Sequence, residues 1–135
     1  MALNNRTIYI IEDNPESLLL MQILLQRAGA RVVIKRFDTN IIKHLKSFAP
    51  LDLILLDLTL AGSASGYDVY DWIRREKQFA TTPIVAVSAA DGIDVIPDLK
   101  TRGFYGFIAK PFDSESFVNQ VKQLLAGESV WQSVG

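Results

Sequence analysis

The chain has no cysteine, a single histidine and no excess of either charge. Its 14 lysines and arginines stand against 15 acids in 135 residues, a formal net charge of −1. The absence of cysteine excludes disulfides, thiolate metal sites and a cysteine nucleophile. The balanced charge gives no support for nucleic-acid binding through a basic surface. The one dense basic stretch, Arg74-Arg75-Glu76-Lys77, suits a solvated helix end, where cations are favoured. No apolar run approaches the length of a membrane span, and the run that ends at Ile11 is too short for a signal-peptide core. Internal repeats and low-complexity segments are also missing. These absences lead to the expectation of a soluble, cytoplasmic protein with no nucleic-acid or membrane partner.

What is present is a globular composition. Hydrophobic residues make up 49% and charged residues 21%, enough for one domain around a single sizeable core. Short apolar runs alternate with amphipathic segments. Thr7–Ile11 reads as a strand, followed by Asn14-Pro15-Glu16, a helix start with Asn as cap and Pro at the first helical position. That helix runs to Ala28 and stops at Gly29. Arg31–Arg36 reads as a second strand, and a helix capped by Asp38 or Thr39 places Ile41, Leu45 and Phe48 on one face. Leu53–Leu56 is a third strand, Tyr67–Lys77 a helix, and "IVAVS" after Pro83 a fourth strand. Asp91–Arg102 is the weakest helix. It holds Gly92, three β-branched residues and Pro97, so a late start or a frayed, kinked first half is expected. Tyr105–Ile108 is a fifth strand. A last helix from Asp113 carries the stripe Phe117, Val121, Leu124 and Leu125, with Phe112 and Phe117 placed as a hydrophobic staple. The domain spans residues 1–127, and residues 128–135 read as a short tail.

Five strands alternating with five helices predict an α/β domain with a doubly wound parallel sheet. The strands are continuous apolar runs, as expected when both faces are covered. Ligands of such sheets bind beyond the carboxyl ends of the strands. There the sequence places Glu12 and Asp13 after the first strand, Asp57 after the third, Ser88 after the fourth and Lys110 after the fifth. Three carboxylates in one crevice repel one another and favour a hard cation such as Mg²⁺. A carboxylate can also act as nucleophile toward phosphorus. Lys110 and the Ser88 hydroxyl can then stabilise phosphoryl oxygens, since that chemistry depends on positioning and charge neutralisation. His44, in "IIKHLK", has no partner motif and reads as an ordinary surface residue. Trp72 and Trp131 read as locally packed.

The segments "IIEDN", "LILLDLTL", "VAVSAA" and "FIAKPF", in this order and spacing, resemble the receiver domains of two-component response regulators. The resemblance covers roughly residues 6–126. It implies a flavodoxin-like fold, with Asp57 phosphorylated by a histidine kinase or phosphotransfer protein in a Mg²⁺- or Mn²⁺-dependent reaction. It further implies that Asp13, Asp57 and the Thr59 backbone carbonyl bind the metal, with Glu12 helping through water. By the same resemblance Lys110 and Ser88 contact the phosphoryl group, Phe107 is a switch aromatic, and the Lys110–Pro111 peptide is cis. The chain would not be an enzyme on a separate substrate; it would promote only its own phosphorylation and dephosphorylation, and switch binding to a downstream target protein. No output domain follows, so a stand-alone receiver is expected. The family's usual Met-Pro after the phosphorylated Asp is replaced by Leu60-Ala61, and the loop to Gly66 is one residue longer. That departure keeps open a second reading, a degenerate receiver serving as an unphosphorylated scaffold. An Asp-nucleophile phosphatase of the haloacid dehalogenase type would need an acid where Thr59 stands. A flavin module would need a phosphate-holding loop where "EDNPES" is acidic.

Overall fold

A computed structural model describes residues 2–60 and 64–132. Its five strands are β1 (Thr7–Ile11), β2 (Arg31–Lys35), β3 (Leu53–Leu56), β4 (Ile84–Ser88) and β5 (Gly106–Ala109). Its helices are α1 (Pro15–Arg27), α2 (Ile41–Ser47), α3 (Gly66–Arg74), α4 (Gly92–Arg102) and α5 (Ser114–Leu125). All strand pairs are parallel, in the order β2-β1-β3-β4-β5. This is the flavodoxin-like doubly wound arrangement, whose order reverses between β1 and β3.

The strands β3, β4 and β5 are buried at every position, which accounts for their unbroken apolar sequences. One core layer joins Tyr9, Ile54, Ile73, Leu99 and Phe107. The other joins Ile10, Leu18, Met21, Leu55, Phe117 and Val121. The buried faces of α1 (Leu18, Met21, Leu25) and α5 (Phe117, Val121, Leu124) follow helical periodicity. Phe112 stacks on Phe117 with centroids 4.4 Å apart, which forms the staple at the entry of α5. No helix among the described residues is long and apolar enough to cross a membrane.

Several expectations need correction. α4 is continuous from Gly92 through Pro97. The Asp91 side chain accepts from the Ile93 N–H, and the Asp91 carbonyl accepts from Asp94 and Val95. The carbonyl that Pro97 leaves without its helical partner is that of Ile93, which is 73% exposed and can be hydrated. The proline therefore costs less here than it would at a buried position. α2 has no side-chain cap at Asn40; Asp38 instead bonds the Asn40 N–H and the Lys35 ammonium. α3 ends at Arg74 rather than Lys77, and a separate 3-10 turn covers Lys77–Phe79. Ser65 and Asp68 form a reciprocal capping box at its start.

His44 is not an isolated surface group. Its Nδ1 lies 2.6 Å from the Tyr9 hydroxyl, and its ring packs on Phe48. The short segment after α5 pairs with the sheet as far as Gln132. Phe107 donates its N–H to the Val130 carbonyl at 2.7 Å, and Gln132 donates to the Phe107 carbonyl at 2.9 Å. Trp131 thereby forms a parallel bridge with β5.

Candidate functional site

The site is built where main-chain pairing runs one residue past the strand ends. The Glu12 N–H donates to the Lys35 carbonyl, the Asp57 N–H to the Ile11 carbonyl at 3.0 Å, and the Lys110 N–H to the Ser88 carbonyl at 2.8 Å. Glu12, Asp57 and Lys110 are thus each held by the neighbouring strand. Of the described residues, the buried polar or charged ones are Glu12, Asp57 and Ser88, all at this one edge of the sheet.

Lys110 closes the group. Its Nζ lies 2.5 Å from Glu12 Oε1 and 3.5 Å from Asp57 Oδ2. The other oxygen of Asp57, Oδ1, accepts from the Thr59 N–H at 3.0 Å. Burial pushes the Glu12 carboxyl up to about 7, the neighbouring Asp57 adds to the rise, and Lys110 opposes it. One ammonium therefore faces two buried carboxylates and does not fully offset them. Lys110 and Pro111 are joined by a cis peptide, as is Ala49-Pro50.

Asp13 stands at the same strand end and accepts from the Phe37 N–H at 3.0 Å, which ties it to the loop between β2 and α2. Thr59 is exposed beside Asp57. Ser88 Oγ accepts from the Ala90 N–H at 3.2 Å, so its hydroxyl is ordered within its own loop. Phe107 is fully buried in the core layer that contains Leu99, with its ring turned inward. Among the described residues, no group of three or more acidic or histidine side chains is arranged to hold a metal ion between them. Of the altered loop after Asp57, Leu60 is buried, while Ala61 lies outside the described residues.

Sequence reasoning missed Gly66 as part of this architecture. A Cβ there would lie 2.3 Å from the Asp57 carbonyl oxygen and 2.6 Å from Leu58 Cα, and the Gly66 N–H donates to the Leu58 carbonyl. Only glycine lets α3 start this close to the strand end that carries Asp57. The signal was the glycine that closes "GSASG", which reads equally well as loop composition.

A doubly wound parallel sheet thus carries buried acids and a lysine together at its carboxyl edge. Comparison with known proteins makes this specific. Residues 8–122 match the family model described as response regulator receiver domain, and the chain belongs to that family. It is 25% identical over 120 residues to the polar-differentiation response regulator DivK of Brucella ovis, covering 89% of this chain and 96% of DivK. It is 27% identical over 119 residues to the CAI-1 autoinducer sensor kinase/phosphatase CqsS of Vibrio cholerae. That match covers 87% of this chain but only 17% of the length of CqsS. Among solved structures, the chemotaxis response regulator CheY4 of Vibrio cholerae superposes with a TM-score of 0.78 at 20% identity, covering 88% of this chain and 98% of CheY4. A response regulator from Chloroflexus aurantiacus superposes with a TM-score of 0.80 at 25% identity, covering 90% and 98%.

Proposed function

We propose that this receiver accepts a phosphoryl group on Asp57 from a histidine kinase or phosphotransfer protein, and that the modified form binds a downstream protein differently. The observation that carries the reading is the position of the Lys110 ammonium between buried Glu12 and Asp57 at the carboxyl edge. In the transfer, an Asp57 carboxylate oxygen attacks phosphorus as the phosphorus–nitrogen bond of a phosphohistidine breaks, and the leaving imidazole takes up a proton. Lys110 would then turn from the carboxylates toward the new phosphoryl oxygens, and the Thr59 N–H, which already donates to Asp57 Oδ1, and the Ser88 hydroxyl would donate to them. The same residues would serve hydrolysis of the acyl phosphate, so the chain acts chemically only on itself.

The residues fit a divalent cation. The edge is rich in hard oxygen donors, and Glu12 carries a raised affinity for protons that a cation would relieve. Asp13, Asp57 and the Thr59 carbonyl would hold Mg²⁺ or Mn²⁺, with Glu12 reaching it through water. Two carboxylates and a main-chain oxygen suffice, because Mg²⁺ usually retains several waters. Bound there, the ion supplies positive charge to the phosphoryl oxygens. Phe107 would report the modified state by changing its packing as Ser88 is drawn toward the phosphoryl group.

Incubation with Mg²⁺ and acetyl phosphate, followed by intact-mass measurement, tests this. The expected product carries one phosphate that hydroxylamine removes, as an acyl phosphate requires. A chain that stays unmodified at saturating donor and metal would leave the scaffold reading in its place.

A further inference from the structure

β5 forms one edge of the sheet, and that edge is already occupied by a segment of the same chain. Val130 and Trp131 lie along it in parallel register, with both Phe107 main-chain groups engaged. Successive residues of a strand point to opposite faces. Accordingly Val130 packs against the core layer that contains Phe117 and Leu124, and Trp131 against the layer that contains Leu99 and Phe107. The Lys100 ammonium of α4 sits 5.1 Å from the Trp131 ring centroid, a cation–π contact that ties the segment to the helix beside it.

The groove is shaped for this approach. A Cβ on Gly106 would lie 2.6 Å from the Val130 carbonyl oxygen and 3.2 Å from Leu124 Cδ2, so β5 begins with the one residue that admits a neighbouring backbone. The hold is nevertheless slight. It consists of two main-chain hydrogen bonds to β5, two half-buried side chains and the one cation–π contact from Lys100.

We propose that the β5 edge is a strand-addition site and that residues 128–132 are its resident intramolecular ligand. The partner it fits is an extended segment running parallel to β5, with a β-branched aliphatic residue followed by an aromatic one. Main-chain bonds to Phe107 would give affinity, and the two faces would give specificity. Such a partner must displace Val130 and Trp131, so the chain's own segment sets the threshold for binding. This proposal is separate from the phosphoryl chemistry, and its test contains no phosphodonor.

The probe is a capped, fluorescently labelled peptide with the sequence of residues 127–132, GESVWQ. It is titrated against the full chain and against the full-length double variant Val130→Gly, Trp131→Ala. The variant should bind the peptide at least tenfold more tightly than the wild type, because its own segment competes poorly. Hydrogen exchange at the Phe107 amide should be faster in the free variant and slow again when the peptide binds. A peptide with Val and Trp replaced by Gly and Ala should not bind. Adding Gly106→Ala to the variant should abolish binding of the unaltered peptide, with circular dichroism confirming the fold. Equal binding to wild type and variant, binding to neither, or unchanged Phe107 exchange in the variant would overturn the proposal.

Discussion

Asp52 and Asp57 flank the same strand, β3, and meet opposite environments. Asp52, at the amino end, is partly exposed; its Oδ2 accepts from the Thr7 N–H at 2.7 Å, and its Oδ1 lies 3.8 Å from exposed Arg6. Asp57, at the carboxyl end, is 6% exposed and shares its surroundings with buried Glu12 and the Lys110 ammonium. One aspartate fastens β1 to β3 at a wet rim. The other is held in a place where its charge is costly unless something compensates it. The difference shows that the identity of an acid beside a strand says little by itself. The end of a parallel sheet on which it falls decides which surroundings it meets.

The sharpest way to break this contrast is at Lys110. Removing the cation in Lys110→Ala leaves Glu12 and Asp57 buried together, and loss of one partner from a buried ion pair typically costs about 3–5 kcal/mol. The expected loss in urea unfolding is about 3 kcal/mol at pH 8, shrinking as the pH falls and Glu12 takes up a proton.

The second effect is on pH dependence. Glu12 has its folded-state value raised from 4.5 to about 7. Between those values the folded state binds more protons than the unfolded chain, so this group lowers stability as pH rises through that window. At 1.36 kcal/mol per unit the change amounts to about 3 kcal/mol at most. Glu12→Gln should flatten that segment of the stability profile, whereas Asp52→Asn should leave it in place.

A smaller effect comes from crowding beneath the site. Gly66→Ala drives a methyl into the Asp57 and Leu58 backbone, and overpacking of this kind typically costs about 1–3 kcal/mol. Thermal unfolding should report a loss of about 2 kcal/mol, together with slower phosphate incorporation. The smallest effect belongs to the amino end. Asp52→Ala removes one hydrogen bond to a charged acceptor and a solvent-screened ion pair, so it should cost about 1 kcal/mol and leave the site unchanged.

Much of the carboxyl edge was legible because its causes are local. Buried parallel strands write themselves as apolar runs, and a residue placed just after such a run falls at the edge whatever the details of packing. Glu12, Asp57 and Lys110 were found this way, and the structure brings these three together. What was not legible depends on contacts distant in sequence. The partner of His44 is Tyr9, 35 residues away on β1. The Phe37 N–H that meets Asp13 belongs to a loop 24 residues on. The pairing of Val130–Gln132 with β5 leaves no periodic signature, since two main-chain bonds to one residue suffice to form it. The late start expected of α4 treats Pro97 as an interior break, whereas the helix runs continuously from Gly92. The carbonyl that Pro97 strands lies in an exposed first turn, where the penalty is small.

The central claim is that Asp57, and not its counterpart at the other end of β3, carries the chemistry. It is tested by exposing wild type, Asp57→Asn and Asp52→Asn to the same acetyl phosphate and Mg²⁺ and measuring intact mass. One phosphate on the wild type, the same on Asp52→Asn and none on folded Asp57→Asn is the predicted result. Phosphate on Asp57→Asn at the wild-type level would contradict it.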